Sequence, residues 1–257
     1  MNAQGLLQDI LIQSLVVVAL SVVQSVFGIG LLLLGTPLLI LLGMPFEQVL
    51  WVLLPASVTV STLQLALDRG ITRGGSFTLI FCALPTLVVG LMVVLGTRLT
   101  LKMDSIVGGL LILGGILRLF SGIRRRALEW LKTHDRMALA GIGLVHGLTN
   151  MGGGLLSLYS SVRYTTKFEI RQQIALGYAM FAATQLLVLV YAGTATRDRL
   201  ITAAILACAA GVTFVTVGRA VFQRVSSAHY NIHFSLFEIG CGFFLIVRRL
   251  IALSTAI

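Results

Sequence analysis

Charge is what this sequence has least of. Only 11% of its 257 residues are Asp, Glu, Lys or Arg, and just nine are acidic; soluble domains carry roughly 25% charged residues. Polar stretches are scarce too. The longest, about Ser121 to Arg136, is a connector rather than a domain, so a soluble globule is excluded. Cysteine is limited to Cys82, Cys208 and Cys241, each alone in an apolar run with no C-x-x-C spacing. That excludes a disulfide framework and a thiolate metal centre, and leaves small packing residues. Enzyme signatures are missing: no H-E-x-x-H, no G-x-S-x-G, no Walker loop and no cluster of carboxylates. No enzyme activity, cofactor or metal is therefore expected.

What is abundant is apolar length. Hydrophobic residues make up 57% of the chain. They fall in eight blocks, near 10–43, 46–67, 76–97, 102–121, 136–164, 169–192, 199–217 and 231–253, each long enough to cross roughly 30 Å of hydrocarbon. The expected fold is an all-α membrane protein. A net charge of +10 invites a nucleic-acid reading, but the arginines sit in short loops between apolar blocks. They suit the positive-inside pattern and anionic headgroups instead. The N-terminal MNAQGLLQD lacks the basic start of a signal peptide, so it is expected to be retained.

The first and fifth blocks exceed one span, and glycines interrupt each near its middle: Phe27-Gly28-Ile29-Gly30 and Asn150-Met151-Gly152-Gly153-Gly154. A shift of 122 residues places Phe46-Glu47 on Phe168-Glu169, Thr62 on Thr184, Gly96 on Gly218 and Gln24 on His146, and brings the two breaks within two residues of register. The order recurs: glycine break, apolar half-helix, Phe-Glu start, long span. All four prolines lie in the first half, so the copies have diverged. The organisation expected is a first transmembrane repeat at 1–121, a cytoplasmic basic linker at 122–135 and a second repeat at 136–257.

Orientation follows from the basic residues. None precedes Arg69, which puts the N-terminus outside, while Arg118, Arg124, Arg125, Arg126, Lys132 and Arg136 put the linker inside. Four simple crossings per half cannot satisfy both placements. Folding the first and fifth blocks back at their glycines can, and it leaves 13 of the 19 basic residues inside. An odd number of passes per half makes the repeats inverted, as is common among secondary transporters.

Backbone at membrane depth must be satisfied internally unless it lines a cavity. A half-helix beginning after Gly28, Ile29 and Gly30, or after Gly152, Gly153 and Gly154, presents N–H groups and a positive dipole end. Two such ends facing each other make an anion site. Gln24 precedes the first break; His146 and Asn150, on one helix face, precede the second. Gln64 and Gln185 fall in the next span of each copy, beside Thr62 and Thr184. Amides and hydroxyls can donate to an oxyanion without the cost of a buried charge; the bland alternative is interhelical hydrogen bonding. His146 and Glu238 are candidates for proton coupling, and Arg163 for anion attraction. The scattered pairs Gly108-Gly109 and Gly114-Gly115 read as close helix packing.

The segments FGIGLLLLGTPLLILLGMPFEQ and GLVHGLTNMGGGLLSLYSS resemble the two glycine-rich repeats of the sulfite exporter TauE/SafE family, also called the toluene-sulfonate uptake permeases. LQLALDRGITRGGSFTLIFCALPTLVVGLMVVLG resembles that family's basic loop and next Gly/Pro-containing span. The first copy departs in carrying leucines after Gly30 where the family usually has more glycine. The likeness covers nearly the whole chain. It implies export or uptake of small sulfur-containing or carboxylate organic anions across the bacterial inner membrane. The function expected here is a secondary transporter, an exporter of a small sulfur-containing anion such as a sulfonate or sulfite. An anion channel and a non-transporting scaffold are the alternatives. Expected partners are the oxyanion, membrane lipids and, in a homodimer, a second copy; nucleic acid is not among them.

Overall fold

The computed structural model describes residues 3–68, 78–97, 104–225 and 227–254, and every regular element among them is a helix. The expected basic loop carrying Arg69 and Arg73 lies outside the described residues. In chain order the helices are α1 (Ala3–Phe27), α2 (Leu31–Leu41), α3 (Phe46–Leu67), α4 (Leu79–Thr97) and α5 (Asp104–Leu119). Then come α6 (Ser121–Thr149), α7 (Gly153–Arg163), α8 (Lys167–Tyr191), α9 (Arg197–Arg224) and α10 (Ser227–Ser254). Among the described residues, five helical stretches are long and apolar enough to cross a membrane: Ile10–Phe27, α3, α4, α8 and α9. The chain is a multi-pass membrane protein.

Glycine stops α1. Gly28 has φ +78°, a left-handed conformation that L side chains resist, and its N–H closes onto the Gln24 carbonyl at 2.7 Å. The chain then doubles back. A Cβ on Gly30 would meet Gln24 and Val23, and one on Gly35 would meet Leu20, so α2 returns along α1. The second break does the same with Asn150, held left-handed at φ 59° and capping α6 with its N–H on the His146 carbonyl. At the far end of α7, Arg163 reaches Asp135 at 2.7 Å, so α7 returns along α6. Both half-helices have 11 residues, and their first residues, Leu31 and Gly153, stand 122 positions apart.

The long helix after each half-helix starts with an acid in its first turn, Glu47 in α3 and Glu169 in α8, which suits the positive end of the dipole. Glu169 also completes a capping box with Thr166. This is the physical content of the repeated Phe-Glu pair. The helices α3 and α8 pack antiparallel: Trp51 donates to Thr194 at 3.0 Å at one end, and Gln172 donates to the Asp68 carbonyl at 2.7 Å at the other. α9 lies against α1 and α3, and α4 against α6 and α8.

Close approach through glycine fixes the outer contacts. Gly108 and Gly115 of α5 meet the backbone of α10 at Gly242 and Ser235, so these two helices are also antiparallel. The packing reading therefore holds for Gly108 and Gly115, whereas Gly109 faces open space. Gly143 and Gly147 of α6 rest on the α4 carbonyls of Ala83 and Leu87. The basic linker at 122–135 is helical and forms the first part of α6, with a kink at His134 (φ −120°, ψ 24°). Its alternating charges, such as Arg125 and Glu129 at 3.4 Å, are helix-compatible at this spacing.

Candidate functional site

The two glycine breaks meet. The Asn150 amide donates to the Thr36 hydroxyl of α2 at 2.9 Å, and a Cβ on Gly154 would lie 3.8 Å from Leu33. The first turns of α2 and α7 thus run side by side in opposite directions, with most of the expected polar residues around them.

At the first break those residues bond to one another. Gln24 is fully buried; its amide nitrogen lies 3.1 Å from the Ser61 hydroxyl and 3.2 Å from that of Ser57, and its oxygen accepts the Leu31 N–H at 3.3 Å. Gln24 therefore caps α2 with its own side chain. Gln64 donates to the carbonyls of Gln24 and Ser25 at 3.0 and 3.2 Å, satisfying the end of α1. Ile29 is buried between the two glycines in the core. Gly28 packs on α8, where a Cβ would sit 3.0 Å from Ile174 and 3.4 Å from the Arg171 carbonyl.

At the second break several buried polar atoms lack partners. His146 is fully buried, and neither ring nitrogen has a hydrogen-bond partner. The Gln185 amide lies against the ring, but neither of its atoms makes a well-formed bond. The Asn150 side-chain oxygen is also unmet. Phe181 flanks the His146 ring at 4.8 Å and Tyr178 meets it edge-on at 6.0 Å. Each glycine here accommodates a neighbour: Gly152 the backbone of His146, Gly153 the Tyr178 hydroxyl, and Gly154 the Leu111 side chain.

Glu238 of α10 is buried and accepts from the Ser157 hydroxyl, one turn into α7. Arg163 lies at the other end of α7, where it binds Asp135 and, at 2.8 Å, the Tyr159 hydroxyl. Thr62 points away from the site: it is exposed and bonds back to the carbonyls of Val58 and Thr59.

Sequence reasoning missed the buried charges behind the first break. Arg171 is 1% exposed. It donates to the Ser25 carbonyl at 2.6 Å, pairs with Asp68 and stacks on Phe222. Arg219 approaches the same carboxylate at 3.9 Å. Each charge stands near a span end, where a loop charge is the ordinary reading; the Gly28-to-α8 contact beside the buried Arg171 has no sequence signal. Ser57 and Ser61 were equally inconspicuous, although their four-residue spacing puts both on one face of α3.

Comparison with curated proteins and with solved structures returns no match. The family model described as "Sulfite exporter TauE/SafE" matches residues 14–245, nearly the whole chain. With two folded-back half-helices inside a multi-pass helical membrane protein, the chain belongs to the sulfite exporter TauE/SafE family, a family of transporters.

Proposed function

We propose that this protein is a secondary transporter that exports a small sulfur-containing anion, such as a sulfonate or sulfite, across the bacterial inner membrane. The observation that carries this reading is the pairing of two half-helix N-termini among buried polar side chains, several of them without partners. Helix N-termini attract anions through their N–H groups and dipole. In this reading the substrate sits between Gly28, Ile29 and Gly30 on one side and Gly152, Gly153 and Gly154 on the other. Gln24, Gln64, His146, Asn150 and Gln185 supply side-chain contacts. His146 and Glu238 are the groups available for proton coupling, and Arg163 provides positive charge at the mouth.

Two inverted repeats provide the frame. Support comes from the 122-residue spacing of the half-helices and from the antiparallel packing of the corresponding pairs α3 with α8 and α5 with α10. Rocking one repeat against the other around a fixed site then gives alternating access.

The test is efflux from liposomes containing the purified protein and loaded with sulfite, methanesulfonate, sulfoacetate, acetate or chloride. Saturable flux at carrier rates, selective for the sulfur anions, is the expected result. Unsaturable flux at far higher rates would make the protein a channel. No flux of any anion, from protein shown to be folded, would make it a scaffold.

A further inference from the structure

The two breaks share a backbone plan but differ in what their side chains have left to offer. At the first, Gln24 occupies the start of α2 and is itself held by Ser57 and Ser61. At the second, the corresponding residue is His146, which bonds to nothing around it. The start of α7 is covered instead by Tyr178. Its ring is fully buried, its hydroxyl lies over Gly153 where any Cβ would overlap it, and that hydroxyl has no hydrogen-bond partner.

We infer that the Tyr178 hydroxyl is a substrate-binding donor: the oxyanion rests at the N-terminus of α7, and Tyr178 gives it a hydrogen bond there. This rests on the transporter reading above and locates the anion at the second break. Three observations converge on it. A buried hydroxyl without a partner is a standing cost that proteins rarely keep without use. The oxygen lies beside Gly153, the first residue of an 11-residue helix, so an anion that accepts from it also feels the positive end of that helix. The other unmet donors, the His146 ring and the Gln185 amide, lie on the same side of the break. A neutral hydroxyl suits a dry site because it binds an anion strongly without holding a charge when the site is empty. Gly153 is then required for reach, since a side chain there would displace the hydroxyl from the helix end.

The experiment is thermal stabilisation of the detergent-purified protein by sulfite and by methanesulfonate, titrated against wild type and Tyr178→Phe. Binding to the folded state alone raises the melting temperature as concentration passes Kd. Phenylalanine fills the same space and removes only the hydroxyl. The expected result is a Kd weakened about ten- to a hundredfold, with the melting temperature of the unliganded protein equal to or above that of wild type. Wild-type stabilisation with an unchanged Kd in the variant would overturn the role of Tyr178 and leave the transporter reading standing. A variant that melts well below wild type, or fails to fold, would make the hydroxyl structural and overturn the inference. No stabilisation of the wild type by either anion would overturn both.

Discussion

Asn150 donates its side-chain amide to the Thr36 hydroxyl at 2.9 Å, tying the turn before α7 to the second turn of α2. Both residues are fully buried, and Asn150 is also the only non-glycine residue with positive φ among the described residues. Its two tasks can be separated. Asn150→Gly keeps the left-handed turn and loses the bond, costing about 0.6–2 kcal/mol. Asn150→Ala loses both and costs about 1–2 kcal/mol more. In a double-mutant cycle with Thr36→Val, denaturant unfolding in micelles should give a coupling of about 0.5–2 kcal/mol; a coupling of zero would mean the bond contributes nothing.

The glycines of α6 make a sharp contrast. Gly143 and Gly147 press on α4 carbonyls, whereas Gly141, on the same helix, has nothing within 4 Å of its would-be Cβ. Gly143→Ala and Gly147→Ala should each destabilise by about 1–3 kcal/mol. Gly141→Ala should be neutral or stabilising by about 0.5–1 kcal/mol through helix propensity. Thermal unfolding of the three variants side by side decides it, and equal melting temperatures would sink the contact argument.

Asp68 pairs with the buried Arg171 and lies 3.9 Å from Arg219, which is 40% exposed. Asp68→Asn strips the carboxylate from a buried guanidinium, and a loss of about 3–5 kcal/mol follows. Replacing both partners, Asp68→Leu with Arg171→Met, should restore part of that. Recovery is incomplete because the Ser25 carbonyl keeps only its bond from Gln64. A double variant no more stable than Asp68→Asn alone would show that the pair matters for something other than charge balance.

If the halves rock, a cross-repeat clamp must stop them. Glu47 of α3 and Arg199 of α9 pair at 2.5 Å at the end opposite Asp68. With Cys82, Cys208 and Cys241 changed to alanine, Glu47→Cys and Arg199→Cys can be joined by a bifunctional methanethiosulfonate whose spacer replaces the length of the two side chains. The cross-linked protein should lose most of its liposome efflux, and reductant should restore it. Full efflux in quantitatively cross-linked protein would mean that this end never opens.

Much of the backbone plan was legible because glycine and the Phe-Glu pair act locally. Gly28 and Asn150 stop helices by their own conformations, and Glu47 and Glu169 start them by charge. Gln24 and His146 could be paired across the halves for the same reason: each sits a fixed four to six residues before its break. What was not legible depends on contacts made far along the chain. Arg171 reads as a loop charge until α8 meets Gly28, and Tyr178 reads as an apolar-span aromatic until its hydroxyl is found over Gly153.

Two half-helices of 11 residues reach only about 17 Å each, roughly half the hydrocarbon thickness of about 30 Å. Polarity admitted to the place where they meet would concentrate the membrane's voltage drop into the protein beyond it. A singly charged anion carried outward through the whole drop gains about 2.3 kcal/mol for every 100 mV of inside-negative potential. For such a cargo the electrical gradient of the cell already points outward, and export can run on voltage with no second ion.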